Sequence, residues 1–266
     1  MYQSDPPRPA WETLPTMYDL PSELVGESGL PDEFHLIQPR LLKETCQPPN
    51  YPQEEFLIAT DLNLYYDVRH PLWYKRPDWY LVLGVPCSHQ QQDLRLSYVI
   101  WQEGIAPFLV VELLSPGTEA EDLGQTLREV NQPPTKWQVY EQILRVPYYG
   151  IYDRYTNHLR IFRIEGTRYQ ELSLPNQRLW LEEIQLGLGT WQGTYEGVTG
   201  LWLRWYDADN HPVPTFAEQA EQERQRAENE RQRAEQMELQ LAQEQQRALA
   251  LAEYLRSHGI DPNNLP

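Results

Sequence analysis

The sequence predicts an α/β domain, a mixed sheet flanked by helices, followed by one long C-terminal helix. Two apolar runs, 78–85 and 108–114, have the length and the β-branched and aromatic content of buried strands. Thr135 is placed to cap a helix between them and a later strand pair. From Ala220 onward a seven-residue repeat takes over.

The elements follow in chain order. Residues 1–53 are rich in proline and acids, with Pro6-Pro7, Pro48-Pro49 and Pro52. They read as an extension wrapping the core, with a short helix or two in 31–42. The main domain is expected over 54–213. Asp78 to Val85 forms a buried strand closed by Pro86, and Ser97 to Trp101 a short second one. Phe108 to Leu114 is almost continuously apolar, as a strand covered on both faces must be. Ser115-Pro116-Gly117-Thr118 ends it. A helix over 122–130 is interrupted at Pro133-Pro134, and a second runs from Lys136 to Arg145. Tyr148 to Asp153 and His158 to Ile164 form a hairpin turning at 154–157, and Arg168 to Leu174 adds a strand.

The third segment is a polar helix over 214–259, leaving 260–266 as a tail. Thr215 and Glu218 make a capping box. The repeats AEQERQR, AENERQR and AEQMELQ put Ala220, Ala227, Ala234, Leu241, Ala248 and Leu255 at seven-residue spacing. Arg224 and Arg231 thin the seam, so pairing is expected to be weak, or confined to 237–255 where leucine becomes frequent. Gly259 and Pro262 stop the helix.

Composition narrows the function classes. Hydrophobic residues make up 40% of 266 and aromatics 12%, enough for a core, which excludes wholesale disorder. No apolar run approaches the roughly 20 residues of a membrane span. The start of the chain is neither basic nor apolar, so no secretory signal is expected there. Two cysteines, Cys46 and Cys87, make neither a disulfide framework nor a four-cysteine zinc site, and a cytoplasmic protein with reduced thiols is expected. The net charge is −17, of which −13 precedes residue 216 (16 basic, 29 acidic) and −4 follows (6 basic, 10 acidic). This opposes nonspecific phosphate binding and calls for a metal wherever the chain meets a phosphate. Only Lys43, Lys75 and Lys136 can serve a lysine-dependent step.

Asp78 opens one apolar strand and Glu112 interrupts another. A carboxylate in a strand of Val and Leu is costly unless it is paired or binds a cation, so Glu112 is the most informative residue in the chain. Two such acids on one sheet can hold Mg²⁺ or Mn²⁺, with waters and substrate phosphate completing the shell. The plain structural alternatives are a turn for Asp78 and a buried ion pair for Glu112.

These residues carry a family resemblance. Tyr74-Lys75-Arg76-Pro77-Asp78, Phe108 to Thr118, Lys136 with Tyr140 one turn on, and Val146-Pro147-Tyr148-Tyr149 resemble the Uma-two family over most of residues 20–190. That family is assigned to the PD-(D/E)xK nuclease superfamily and implies a restriction-endonuclease-like fold. The resemblance implies metal-dependent hydrolysis of phosphodiester bonds in DNA. It assigns Asp78 and Glu112 as metal ligands and as catalytic residues. Leu114 stands two residues after Glu112, where the superfamily places its lysine, and the resemblance then implies Lys136 on the following helix as catalytic amine, with Lys75 as the backup. A glutamate of the first helix often joins such sites, leaving Glu27, Glu33 and Glu44 as candidates. A homodimer held partly through the tail would suit cleavage of both strands. Loss of the strand lysine and the acidic charge favour the alternative of a degenerate fold acting as a binding or assembly module.

Other features read as structure. The Trp and Tyr clusters are expected to pack rather than stack on bases, and the six histidines show no zinc spacing, His35 included. Asp122 and Asp153 flank the site in sequence, Asp153 as a turn residue. No phosphate-binding glycine loop and no nucleophile–histidine arrangement is discernible.

Overall fold

A computed structural model describes residues 13–16, 19, 33–87, 93–114, 119–126, 131–257 and 259. The expectations for Glu27, for the turn 115–118, for Pro262 and for most of the N-terminal extension and the tail lie outside them. The chain divides into two units, 1–213 and 214–266.

The strands of the first unit are β1 (Phe56–Ala59), β2 (Leu64–Tyr65), β3 (Tyr74–Lys75), β4 (Trp79–Leu83), β5 (Tyr98–Val99), β6 (Leu109–Leu113), β7 (Tyr148–Asp153), β8 (His158–Glu165), β9 (Arg168–Glu171), β10 (Arg178–Leu181), β11 (Leu186–Tyr195) and β12 (Val198–Tyr206). The helices are α1 (Phe34–Thr45), α2 (Ile100–Glu103), α3 (Glu119–Asp122) and α4 (Lys136–Gln138), which runs on into a π turn at Val139–Ile143. The second unit is α5 (Phe216–Ser257).

The main sheet has the order β1-β4-β6-β7-β8-β9. It is mixed: β6 and β7 run parallel, and every other neighbouring pair is antiparallel. The interior strands β4 and β6 are the most continuously apolar in sequence, because each is covered on both faces. Alternation sorts their side chains. Trp79, Leu81, Leu109, Val111 and Leu113 enter one buried cluster with residues of α1, β11 and β12. Tyr80, Val82, Val110 and Leu114 enter the other, with Val139, Tyr140, Tyr149 and Phe162. The parity puts Asp78 and Glu112 on the second face.

Most expected elements form, some with different limits. The strand expected at 97–101 pairs only over Tyr98–Val99 and then turns into α2, closed by Gly104 in the left-handed region. α3 ends at Asp122 and residues 123–126 do not continue it, while the rest of the helix expected over 122–130 lies outside the described residues. The helix expected through Arg145 ends earlier, with Arg145 at φ 54°. The strand from Arg168 stops at Glu171. The segment 31–42 contributes one helix, α1, whose Leu41 and Leu42 are wholly buried. Gln38 clamps α1 to β12: its amide donates to Leu203 O (2.9 Å) and accepts from Leu203 N (2.8 Å).

A small sheet, β3-β2-β5, flanks the main one. The antiparallel meander β10-β11-β12 is absent from the sequence expectations. Five glycines between 187 and 200 hide it, since glycine lowers the strand signal. In the second unit the capping box forms as expected, with Thr215 N donating to Glu218 and Glu218 N to Thr215 Oγ1. Gly259, at φ 78°, closes the last turn. No described helix is long and apolar enough to cross a membrane.

Candidate active site

The site grows from the β4–β6 register. Trp79 pairs with Val111, so Asp78 stands opposite Glu112 one step on. The two acids meet on one face: Asp78 Oδ2 accepts from Leu113 N at 2.7 Å, and Asp78 N lies 3.4 Å from Glu112 Oε2. Glu112 is fully buried and Asp78 half-buried.

Lys136 comes to them from a separate segment. Thr135 caps its helix in a reciprocal box: Thr135 Oγ1 accepts from Gln138 N (3.1 Å), and Thr135 N donates to Gln138 Oε1 (3.0 Å). This fixes the first turn and points Lys136 inward. Lys136 Nζ lies 2.9 Å from Glu112 Oε2 and 2.9 Å from Asp122 Oδ1. A lysine at a helix start opposes the dipole, and two carboxylates at contact distance more than offset that.

Asp122 is the acid whose part the sequence did not reveal. Its side chain is buried at the end of α3, and its carbonyl accepts from Tyr149 OH at 3.0 Å. Gly124 lets α3 approach α4: at φ 69°, a Cβ there would lie 2.8 Å from Trp137 Cγ, so only glycine fits. The Asp122 Oδ2 atom is buried without a hydrogen-bond partner among the described residues. Glu121, beside it, accepts from Lys75 Nζ (3.0 Å) and from Lys136 N (3.1 Å). Lys75 thus has a partner one shell outside the acids.

Tyr140 completes the arrangement. The π turn closes with Leu144 N donating to Val139 O at 2.8 Å, and widened turns of this kind recur at functional sites. It directs the Tyr140 hydroxyl to Glu112 Oε1 (2.8 Å), leaving Oε2 to Lys136 and to the Asp78 amide. From α1 the structure brings His35, not Glu33 or Glu44. His35 Nε2 lies 3.0 Å from Leu113 O, and Glu44 interacts with Tyr195. Leu114 packs in the core. Asp153 is a turn residue, accepting from Tyr155 N and Thr156 Oγ1.

Burial sets the electrostatics. It pushes the Glu112 carboxyl up, with Asp122 and Asp78 adding to the rise and Lys136 opposing it. It likewise raises Asp78, again against Lys136. Burial alone would lower the Lys136 ammonium, but Glu112, Asp122 and Asp78 outweigh it and hold the lysine firmly protonated. Burial also lifts the Tyr140 hydroxyl well above its ordinary value, with Glu112 adding to it.

A divalent cation fits this donor set. The carboxylates of Asp78, Glu112 and Asp122 offer hard oxygen donors, and one of those oxygens lacks a partner. With three carboxylates ionised against one ammonium, the formal charge is −2. The acids do not close tightly around one point. Among the described residues, the one trio of such groups with ligand atoms within 4.8 Å of each other is the exposed Asp207, Asp209 and His211. Mg²⁺ sites do not need closure, since one or two carboxylates with waters and phosphate suffice.

No curated protein shows significant similarity to the chain. The family model for Uma2, described as "Putative restriction endonuclease", matches residues 17–196, which span β1 to β11 and every residue of the site. The chain belongs to the Uma2 family.

Proposed function

We propose that the chain is a Mg²⁺- or Mn²⁺-dependent endonuclease that hydrolyses phosphodiester bonds in DNA, acting in the cytoplasm. The observation that carries this reading is that buried Glu112 and Asp122 share the ammonium of Lys136 while half-buried Asp78 stands against Glu112 on the same face. Asp78, Glu112 and Asp122 would hold the ion. When bound, it supplies charge neutralisation at the phosphoryl oxygen and a bound water of lowered pKa.

The chain's own groups do the rest. Tyr140 fixes the Glu112 carboxylate by its hydrogen bond to Oε1. The Leu113 amide fixes Asp78 through Oδ2. Lys136 is positioned to orient a water or to stabilise negative charge developing on the phosphate, the role that the absent strand lysine at position 114 would have had. Glu121 fixes the start of the Lys136 helix by accepting from its backbone amide.

A second reading has its own support. Lys136 already touches two of the three acids, as an internal counter-cation of a degenerate fold that serves as a binding or assembly module would. A plasmid assay separates the two. Wild-type protein with Mg²⁺ or Mn²⁺ should nick or linearise supercoiled DNA, and Glu112→Gln should abolish this. The ions should raise the melting temperature of wild type but not of Glu112→Gln. If the wild type shows no cleavage and no ion-induced stabilisation with either metal, the binding-module reading is the one that stands.

A further inference from the structure

The helix α5 has 42 residues, a length of about 63 Å at 1.5 Å per residue, and none of its described side chains is buried. Its first half is sustained by local pairs such as Arg231 with Glu235 (3.0 Å). Its second half exposes Met237, Leu241 and Leu251, the first at 71%. A helix with this much bare apolar surface is incomplete by itself.

The heptads say what covers it. With Ala220 and its repeats at position a, position d holds Phe216, Glu223, Glu230, Met237, Glu244 and Leu251. In a parallel pair each position meets its own copy, which sets Glu223, Glu230 and Glu244 against themselves in the seam. In an antiparallel pair a meets d, and one register uses all twelve positions. It places Phe216 against Leu255, Ala220 against Leu251, Glu223 against Ala248, Ala227 against Glu244, Glu230 against Leu241, and Ala234 against Met237. No glutamate then faces another. The alanine-lined half of one helix receives the leucine-rich half of the other, and Arg231 falls beside Glu238 of the second copy twice by symmetry.

We infer that α5 pairs antiparallel with α5 of a second copy of this chain, along its full length, to form a homodimer. The arrangement is independent of the proposed chemistry, and its test reads mass and cross-linking rather than cleavage.

The full chain should sediment as a dimer, and Leu241→Glu/Leu251→Glu as a folded monomer with an unchanged melting transition of the first unit. Orientation is read on a Cys87→Ser background, which removes the exposed native thiol and leaves Cys46 buried. Mixing the Ala220→Cys and Leu251→Cys chains under oxidised glutathione should give a mixed disulfide dimer, while Ala220→Cys alone should stay uncrosslinked. A monomeric wild type, a dimer that survives Leu241→Glu/Leu251→Glu, or self-crosslinking of Ala220→Cys would each overturn the inference.

Discussion

Replacing Lys136 by methionine tests the electrostatic logic of the site most directly. Methionine keeps much of the length and apolar stem of lysine and removes the charge. The ammonium touches Glu112, whose side chain is 0% exposed, and Asp122, at 1%, while the lysine side chain itself is 17% exposed. Deleting one partner of a buried pair leaves the other charge uncompensated and costs about 3–5 kcal/mol. In a unit of about 200 residues each kcal/mol moves the melting temperature by about 2–4 °C, so Lys136→Met should lower it by roughly 6–20 °C. The loss should shrink when Glu112→Gln is added, because one of the two stranded carboxylates disappears with it. Millimolar Mg²⁺ should return part of the loss in the single variant, since a bound cation takes over the compensation. Differential scanning calorimetry with and without the ion reads all three numbers. A Lys136→Met protein melting within 1 °C of wild type, with no response to Mg²⁺, would refute the account of a buried, charge-starved cluster.

Two further substitutions test the scaffold. Glu141 accepts from Tyr169 N (2.9 Å) and from Arg168 (3.0 Å), and although burial pulls the other way, these bonds and one from Gln142 hold its carboxyl below the ordinary value of 4.5. A lowered carboxyl stabilises the fold fully above 4.5, and the contribution fades as pH falls through the lower folded value. Glu141→Gln should therefore cost about 1.5–3 kcal/mol in urea titrations at pH 7, with the gap to wild type closing in acid; a gap that persists at pH 2 would contradict the assignment. Gln38→Leu bares both the amide and the carbonyl of Leu203, at about 1–3 kcal/mol each. Hydrogen exchange should then quicken in β12 before it does in β6, and uniform quickening would argue against a local clamp.

The sequence is legible where one physical constraint dominates. Residues 78–85 and 108–114 announce strands because central strands must be apolar throughout, and Glu112 stands out against that background. Thr135 is visible because caps need a side-chain acceptor, and α5 because seven-residue spacing has no other common cause. Asp122 is not visible: its place depends on Gly124 admitting Trp137, a contact that no local pattern encodes. Tyr140 reads as one turn beyond Lys136, but the π turn that aims its hydroxyl leaves no sequence mark. The meander of β10 to β12 escapes because its glycines erase the alternation that burial would otherwise write.

The acids and the amine are held by different kinds of restraint. Asp78 and Glu112 are locked by strand register, which cannot slip by one residue without turning both away. Lys136 hangs from a threonine-capped turn, thirteen residues downstream of Asp122. The length of that connection can therefore change without touching the strand register of the two carboxylates, provided the Thr135 cap and the Glu121 contact still deliver the lysine to them.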